Sequence, residues 1–191
     1  MMEHYWLDDY LIQSNIDITG FKDKIDTIVD TIDPEDMNKV STKGFNSKQF
    51  RLWEDREKLS DVIEKIKDSV IENFKFTHNK NINKIKLVNL WTVYGQENSY
   101  HKLHYHINFK NTNKALNHIS TVTYLSVAEK NIHQSGNFHF VYLKNNQVCY
   151  EEIDAKKGNI LIMPVRIWHG SYPQGKGLRQ TLNLDFEISY E

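Results

Sequence analysis

Three histidines in two short segments have a spacing suited to metal binding. His104 and His106 are separated by one residue, and His169 follows a β-type segment and the turn at Pro164. On a β-strand, residues i and i+2 point to the same face, about 6.6 Å apart at about 3.3 Å per residue. Two imidazoles at this spacing can bind one ion through bonds of about 2.0–2.1 Å, with a third arriving from another strand. The spacing predicts a metal site whose remaining positions stay open to other molecules.

Arg179 begins the last long β-type segment, ten residues after His169. Its guanidinium is a planar fork that suits bidentate carboxylate binding. Thr181 faces the same side of the strand and could add a hydroxyl to the same carboxylate. A surface arginine in a weak salt bridge is the commoner role for this residue type. The position after a candidate metal ligand nevertheless favours an anion site beside the metal.

The other histidines are weaker candidates. The chain contains nine, and scattered histidines are more often surface residues or hydrogen-bonded core residues. We expect His101 and His118 to lie outside the ligand set. His139 has no partner at ligand spacing, but it lies in a β-type segment that could line the cavity.

The composition is that of an ordinary globular domain. Hydrophobic residues make up 39% and charged residues 26% of the 191 positions, and the formal net charge is −1. This charge gives no reason to expect nucleic acid or a membrane surface as a partner. Cys149 is the single cysteine, so no internal disulfide can form, and a reducing compartment is favoured. With neither a signal-peptide pattern nor a long apolar run, the sequence predicts a cytoplasmic single domain spanning 1–191.

The pattern of the chain changes at about residue 83. Residues 1–80 carry two helical stripes, one around Phe21, Ile25 and Ile28 and a stronger one from Leu59 to Val70, for which Asp55 is a candidate cap. From 83 to 190 the chain has short β-type runs without helices between them, which argues against a parallel sheet. The runs are 85–94, 103–109, 119–127, 137–143, 147–153, 159–163, 167–171 and 180–189. We therefore predict an α+β fold in which N-terminal helices buttress an antiparallel β-sandwich or jelly roll.

Six motifs along the chain match those of one enzyme family. They are Gly44-Phe45-Asn46-Ser47, Asn89-Leu90-Trp91 with Gly95 shortly after, the block His101, His104 and His106, Ile119-Ser120-Thr121-Val122-Thr123-Tyr124-Leu125, the segment from Gly158 through Pro164 to Trp168-His169, and Arg179-Gln180-Thr181. On these motifs, from about Ser41 to Phe186, the chain resembles the 2-oxoglutarate/Fe(II)-dependent oxygenases, most of all small bacterial and phage members. It departs from the family at three places. His106 stands where most members have an acid, and Asp185 stands where they tend to have Asn. Thr121 and Thr123 replace the family's glycine and tyrosine.

The resemblance implies a double-stranded β-helix, a jelly-roll or cupin-like sandwich, with Fe(II) held by His104, His106 and His169. It implies that 2-oxoglutarate is bound through Arg179 and Thr181 and is oxidatively decarboxylated while an unidentified substrate, such as a protein or peptide, is hydroxylated with O2. Softer expectations are that Tyr124 and Asn89 contact the co-substrate and that Asp185 and Trp168 support the ligands from behind. For each of the four, simple packing or solvent exposure is the alternative role.

The sequence is also compatible with two other functions. A cupin-like three-histidine dioxygenase would need no 2-oxoglutarate, and Arg179 is the residue that discriminates it from the first hypothesis. A non-catalytic β-sandwich, such as a phage structural or binding module, would carry its histidines incidentally and would bind no metal.

Overall fold

The computed structural model describes residues 10–32, 38–39, 47–106, 117–144 and 147–190. Within these ranges the chain forms two helices and eleven strands. The helices are α1 (Phe21–Val29) and α2 (Ser60–His78). The strands are β1 (Ile12–Asn15), β2 (Asn38–Lys39), β3 (Ser47–Arg51), β4 (Ile82–Gly95), β5 (His101–His104), β6 (His118–Ser126), β7 (Phe138–Lys144), β8 (Gln147–Ile153), β9 (Asn159–Pro164), β10 (Trp168–Ser171) and β11 (Arg179–Tyr190).

The strands form two antiparallel sheets that enclose a common interior. The major sheet has the order β1-β9-β6-β11-β4-β3-β2, and the minor sheet has the order β5-β10-β7-β8. Residues of both sheets, including Val122 and Leu161 from the major sheet and Phe138 and Phe140 from the minor sheet, form one apolar cluster. That cluster fills part of the interior, and a cavity occupies the space beside it.

Both helices pack on the face of the major sheet that points away from this interior. Strand β11 shows why, because its side chains alternate between the two faces. Leu182, Leu184 and Phe186 belong to the same buried cluster as the apolar residues of α1 and α2. Alternate residues of the same strand face the other way and line the cavity: Arg179, Thr181, Asn183 and Asp185. The apolar face of this strand therefore packs against the helices, and its polar face lines the cavity.

The start of α2 differs from the prediction. Leu59 occupies the N-cap position, and no side chain caps the helix there. Asp55 lies in the turns before the helix, where its carboxylate pairs with Lys58 at 2.7 Å. The prediction of Asp55 as the cap was wrong because several residues of turn separate it from the first helical residue.

The predicted α+β class is confirmed, with helices packed on an antiparallel sandwich. Each of the eight predicted strands has a counterpart, but the one predicted at 103–109 is observed as β5 and ends at His104, so residues 105–106 are not in a strand. Residues 107–109 and the motif residues 44–46 lie outside the described ranges. The structure adds β1, β2 and β3, so the segment before residue 83 contributes strands to the major sheet as well as helices. Neither of the two helices described is both long and apolar enough to cross a bilayer.

Candidate active site

His104, His106 and His169 converge at one end of the interior. One nitrogen from each ring lies within 4.8 Å of the others. His169 belongs to β10, and its register partner is His104, the last residue of β5. His106 lies just beyond that strand, where its backbone N–H donates to the carbonyl of Val165 at 2.9 Å. The predicted convergence is present, although His106 reaches it from outside the regular strand.

Hydrogen bonds turn the Nε2 atoms of the three rings towards one another. His104 Nδ1 lies 2.7 Å from the Lys102 carbonyl, and His169 Nδ1 lies 2.9 Å from the Ile167 carbonyl. A carbonyl oxygen only accepts, so in these two rings Nδ1 carries the proton and Nε2 is left as a lone pair. The Nε2 atoms of His104 and His106 are 3.4 Å apart. Two nitrogens about 2.1 Å from one ion have this separation at an angle of about 108°, so the pair is arranged as a cation would require.

The third ring is oriented by an acid. His106 Nδ1 lies 3.1 Å from Asp185 Oδ1 and 3.1 Å from Ser120 Oγ. Asp185 and Ser120 are register partners on β11 and β6, so the major sheet itself places both atoms behind the ring. A carboxylate behind a ligating histidine fixes the tautomer and makes the imidazole nitrogen a more basic metal ligand. The predicted supporting contact of Asp185 is thus present in the geometry.

Burial favours the neutral form of two of the ligand rings, His104 and His169. Desolvation lowers the pKa of His169 well below its usual value, and the neighbouring His106 and His104 lower it further. Desolvation is also the main cause that lowers the pKa of His104. A ring must be deprotonated at the ligating nitrogen to bind a metal, so these shifts favour binding at neutral pH.

Arg179 lies in the same cavity as the triad. It is 4% exposed, and its Nη1 has no hydrogen-bond partner among the residues described. Burial lowers the pKa of Arg179, but a guanidinium stays charged in a protein. Tyr124 lies beside it on the neighbouring strand, and burial raises the pKa of this phenol to about 12, so it remains a donor. A buried guanidinium with an unpaired nitrogen is a strong indication of an anion site.

Thr181 is poised for the same anion. Its side chain lines the cavity, and its Oγ1 accepts a hydrogen bond from Asn183 Nδ2 at 3.1 Å. The Thr181 hydroxyl proton is therefore left to be donated elsewhere. The cavity has a volume of about 290 Å³, which suits a small organic acid.

The structure brings together most of the predicted site residues, but not Trp168. The residues that line the cavity are Asn89, His104, His106, Tyr124, His169, Arg179, Thr181 and Asp185. Trp168 points to the opposite side of the minor sheet, where it is 46% exposed and its ring centroid lies 4.4 Å from that of Tyr105. Alternation along β10 explains this, since His169 takes the inner face.

His139 does not line the cavity, so that expectation was wrong. Its neighbours Phe138 and Phe140 take the inner face of β7, and His139 packs against Tyr150 and Tyr172 on the outer face. The period-two pattern around the two phenylalanines was the signal that could have corrected this expectation.

Five polar residues of the site were missed: Gln49, His101, Ser120, Ser171 and Asn183. Asn183 had a signal, because it alternates with Leu182 and Leu184 on a strand whose apolar face was predictable. For His101, strand alternation gave no such signal, because residues i and i+3, here His101 and His104, face opposite sides of a regular strand. A β-bulge places both side chains on one face. His104 pairs with His169 and His101 pairs with Ser171, so three residue intervals on β5 lie opposite two on β10.

Gly170 makes that bulge possible. A Cβ at this position would lie 2.7 Å from the His101 carbonyl oxygen and 2.8 Å from His139 Nε2. The contact with the His101 carbonyl is with backbone and cannot be relieved by a side-chain rotation, so only glycine lets β5 approach β10 this closely.

Comparison with known proteins gives structural likeness without sequence likeness. No protein-family model and no curated protein sequence matches the chain. Among solved structures, an oxidoreductase of the 2OG-Fe(II) oxygenase family from Burkholderia pseudomallei has a TM-score of 0.63 at 9% identity, over 93% of this chain and 85% of its own. The chain has the fold of these oxygenases.

Two further structures share this double-stranded β-helix. The viral collagen prolyl hydroxylase vCPH from Paramecium Bursaria Chlorella virus-1, solved with 2OG, has a TM-score of 0.58 at 15% identity, over 94% of this chain and 97% of its own. HygX from Streptomyces hygroscopicus, solved with nickel, 2-oxoglutarate and hygromycin B, has a TM-score of 0.59 at 11% identity, over 95% of this chain and 83% of its own. The fold prediction made from the sequence motifs is thereby confirmed.

Proposed function

We propose that this protein is an Fe(II)- and 2-oxoglutarate-dependent dioxygenase that hydroxylates a substrate still to be identified. One observation carries the proposal. One nitrogen from each of the three imidazoles lies within 4.8 Å of the others, and Arg179, buried and with an unpaired Nη1, lines the same cavity. A candidate metal site and a candidate anion site therefore share one cavity of about 290 Å³.

The donor set fits iron, although it is not specific for it. Neutral imidazole nitrogen suits Fe, Zn, Cu and Ni alike, so geometry and availability decide which metal is bound. His104, His106 and His169 would hold the ion, and the fold relatives solved with 2OG, one of them also with nickel, support this assignment. Iron, when bound, would supply O2 activation coupled to the oxidative decarboxylation of 2-oxoglutarate to succinate and CO2.

The residues of the chain bind and orient the co-substrate. Arg179 would take the distal carboxylate through its guanidinium fork, with the Thr181 and Tyr124 hydroxyls as additional donors. Asn89 lines the cavity near the triad, and its side-chain oxygen accepts the backbone N–H of Leu90 at 3.1 Å. Its amide N–H groups would remain to donate to a ligand. Asp185 would hold His106 in its ligating tautomer.

For the substrate, a peptide or protein side chain is the first class to test, because one fold relative is a collagen prolyl hydroxylase. HygX, which holds hygromycin B, supplies the small-molecule alternative. We also propose a cytoplasmic location, on the ground that the single cysteine, Cys149, can form no internal disulfide.

The test is co-substrate turnover by the purified protein. We expect oxygen consumption and succinate formation that require both Fe(II) and 2-oxoglutarate. Arg179→Ala should lose most of the succinate formation, and His169→Ala should lose metal binding as well. Trp168→Ala, which lies outside the cavity, is the matched control and should behave as the wild-type protein does. Failure of the wild-type protein to bind 2-oxoglutarate when loaded with metal would overturn the proposal.

The all-histidine donor set favours one alternative, a cupin-like three-histidine dioxygenase that does not use 2-oxoglutarate. In that case Arg179→Ala would consume oxygen as fast as the wild-type protein, and 2-oxoglutarate would have no effect. A non-catalytic binding module would instead show no metal binding in an anaerobic Fe(II) titration, and His104→Ala would leave the metal content unchanged.

A further inference from the structure

His101 is a partly buried side chain with a buried Nε2 atom that the proposed function leaves unused. It lines the cavity, and its Nε2 has no hydrogen-bond partner within the described part of the chain. Leaving a buried polar atom unpaired costs about 1–3 kcal/mol. Such atoms in native proteins usually have a partner, so one is expected here from a bound molecule.

The fold places His101 at the Arg179 end of the cavity. Arg179 is the register partner of Gly95, the last residue of β4, and His101 is the first residue of the next strand. On the minor sheet, the His101 backbone N–H donates to Ser171 Oγ at 3.1 Å, which fixes the strand at the bulge. His101 and Arg179 therefore face the interior from opposite sheets at the same end.

The electrostatics of His101 agree with this position. Burial lowers its pKa well below the usual value, and Arg179 is the charged group that adds most to the effect. A neutral imidazole can donate one hydrogen bond without repelling the guanidinium across the cavity. Two buried nitrogens without partners, one cationic and one neutral, thus meet at one end of the site.

We propose that His101 Nε2 donates a hydrogen bond to the distal carboxylate of 2-oxoglutarate, the group that Arg179 holds from the opposite sheet. This inference rests on the proposed function. A carboxylate has two oxygens and about four lone-pair sites, so it can accept from both residues at once. His101 is then a co-substrate-binding residue, and it discriminates diacids from 2-oxo acids that lack a second carboxylate.

The experiment compares two 2-oxo acids on one set of variants. The probes are 2-oxoglutarate and pyruvate, which has the 2-oxo acid group but no distal carboxylate. Their dissociation constants are measured by calorimetry on Mn(II)-loaded protein, so no turnover is needed. The variants are His101→Phe, which keeps a ring but no donor, and His101→Gln, whose amide nitrogen can replace Nε2. His133→Phe is the matched control, because His133 is exposed and does not line the cavity.

We expect His101→Phe to weaken 2-oxoglutarate binding about 10- to 100-fold, the usual range for a hydrogen bond to a charged group. Pyruvate affinity should change by no more than about twofold, as expected for a contact it does not make. His101→Gln should recover part of the loss for 2-oxoglutarate, and the affinity for Mn(II) should be unaffected in every variant. His101→Leu gives the same comparison if the phenylalanine variant does not fold.

The outcomes separate this inference from the proposed function. Unchanged 2-oxoglutarate affinity in His101→Phe, with a large loss in Arg179→Ala, would overturn the role of His101 alone. An equal loss for both acids would overturn it too, since it would place the contact at the metal-chelating end. No 2-oxoglutarate binding by the wild-type Mn(II) protein would instead refute the proposed function.

Discussion

Asp185 is predicted to raise the affinity of the histidine triad for a divalent metal. The perturbation is Asp185→Asn, which removes the charge but keeps an oxygen that can accept from His106 Nδ1. Asp185 Oδ1 lies 3.1 Å from that nitrogen, and the Asp185 and His106 side chains are 11% and 13% exposed. Little solvent therefore screens the carboxylate from an ion on the other side of the ring.

The expected magnitude follows from this geometry. Adding an imidazole width and a metal–nitrogen bond to the hydrogen bond puts the carboxylate about 7 Å from the ion. A unit charge and a divalent ion at that distance attract by about 5 kcal/mol at an effective dielectric constant of about 20, and by about 1 kcal/mol in water. Measured effects of such supporting partners are about 10- to 100-fold in affinity, or about 1.4–2.7 kcal/mol, which falls between these limits. We expect Asp185→Asn to lose affinity within that range.

The assay is an anaerobic competition titration of Fe(II) against a chromophoric chelator, repeated with Zn(II). Ser120→Ala is the control, because it removes the uncharged partner of the same Nδ1 atom and should cost less than about threefold. Equal affinities in the wild-type protein and Asp185→Asn would refute the reasoning, since they would mean that the charge behind His106 does not reach the metal. A larger loss in Ser120→Ala than in Asp185→Asn would refute it as well.

Three further predictions concern the strands around the site and the core. Gly170→Ala should prevent the close approach of β5 to β10, and we expect a loss of metal affinity larger than the loss of thermal stability, measured by titration and calorimetry on the same sample. Phe74→Ala, in the fully buried cluster beneath the helices, should destabilise the protein by about 3–5 kcal/mol in denaturant unfolding while the folded fraction keeps its metal affinity. In the metal-free protein, the pKa values of His101 and His169 lie well below their usual value. Near pH 6.5 these two histidines therefore bind protons in the unfolded chain but not in the folded chain. Stability is then fully present above about pH 6.5 and falls on acidification by up to about 1.4 kcal/mol per pH unit for each histidine; a flat profile of unfolding free energy from pH 7 to 5 would contradict this.

Strand periodicity carried most of what could be predicted. The segment at 180–189 was predictable as a strand, and its alternation determines which residues meet the helices and which meet the cavity. The same rule, applied to β7 through its inward-facing phenylalanines, would have excluded His139. The positions of Arg179 and Thr181 in the cavity follow from the same regularity.

What the sequence did not reveal depends on departures from that regularity. The bulge between β5 and β10 places His101 and His104 on one face although they are three residues apart. A bulge is a property of two strands together, and here it depends on Gly170, which lies far along the chain from either histidine. The contact between Asp185 and His106 is of the same kind, since it joins residues that are 79 positions apart. Pairing of this range is not encoded in any local pattern.

The charges around the cavity explain why a dianion is the ligand expected there. Imidazoles that ligate a metal are neutral. A bound divalent metal would therefore contribute two positive charges, Arg179 one more, and Asp185 a single negative charge. The sum, +2, would lie beside the buried side chains of His169, Arg179 and Asp185, where uncompensated charge is costly. 2-Oxoglutarate carries two negative charges, one for each end of the cavity, and its binding would bring the sum to zero. In the oxygenases that the chain resembles, the acid usually stands at the position of His106 and an Asn tends to stand at that of Asp185. Compared with those oxygenases, this chain has its negative charge one imidazole ring behind the proposed metal position instead of on the metal. The net charge that a bound 2-oxoglutarate would neutralise is the same in both arrangements.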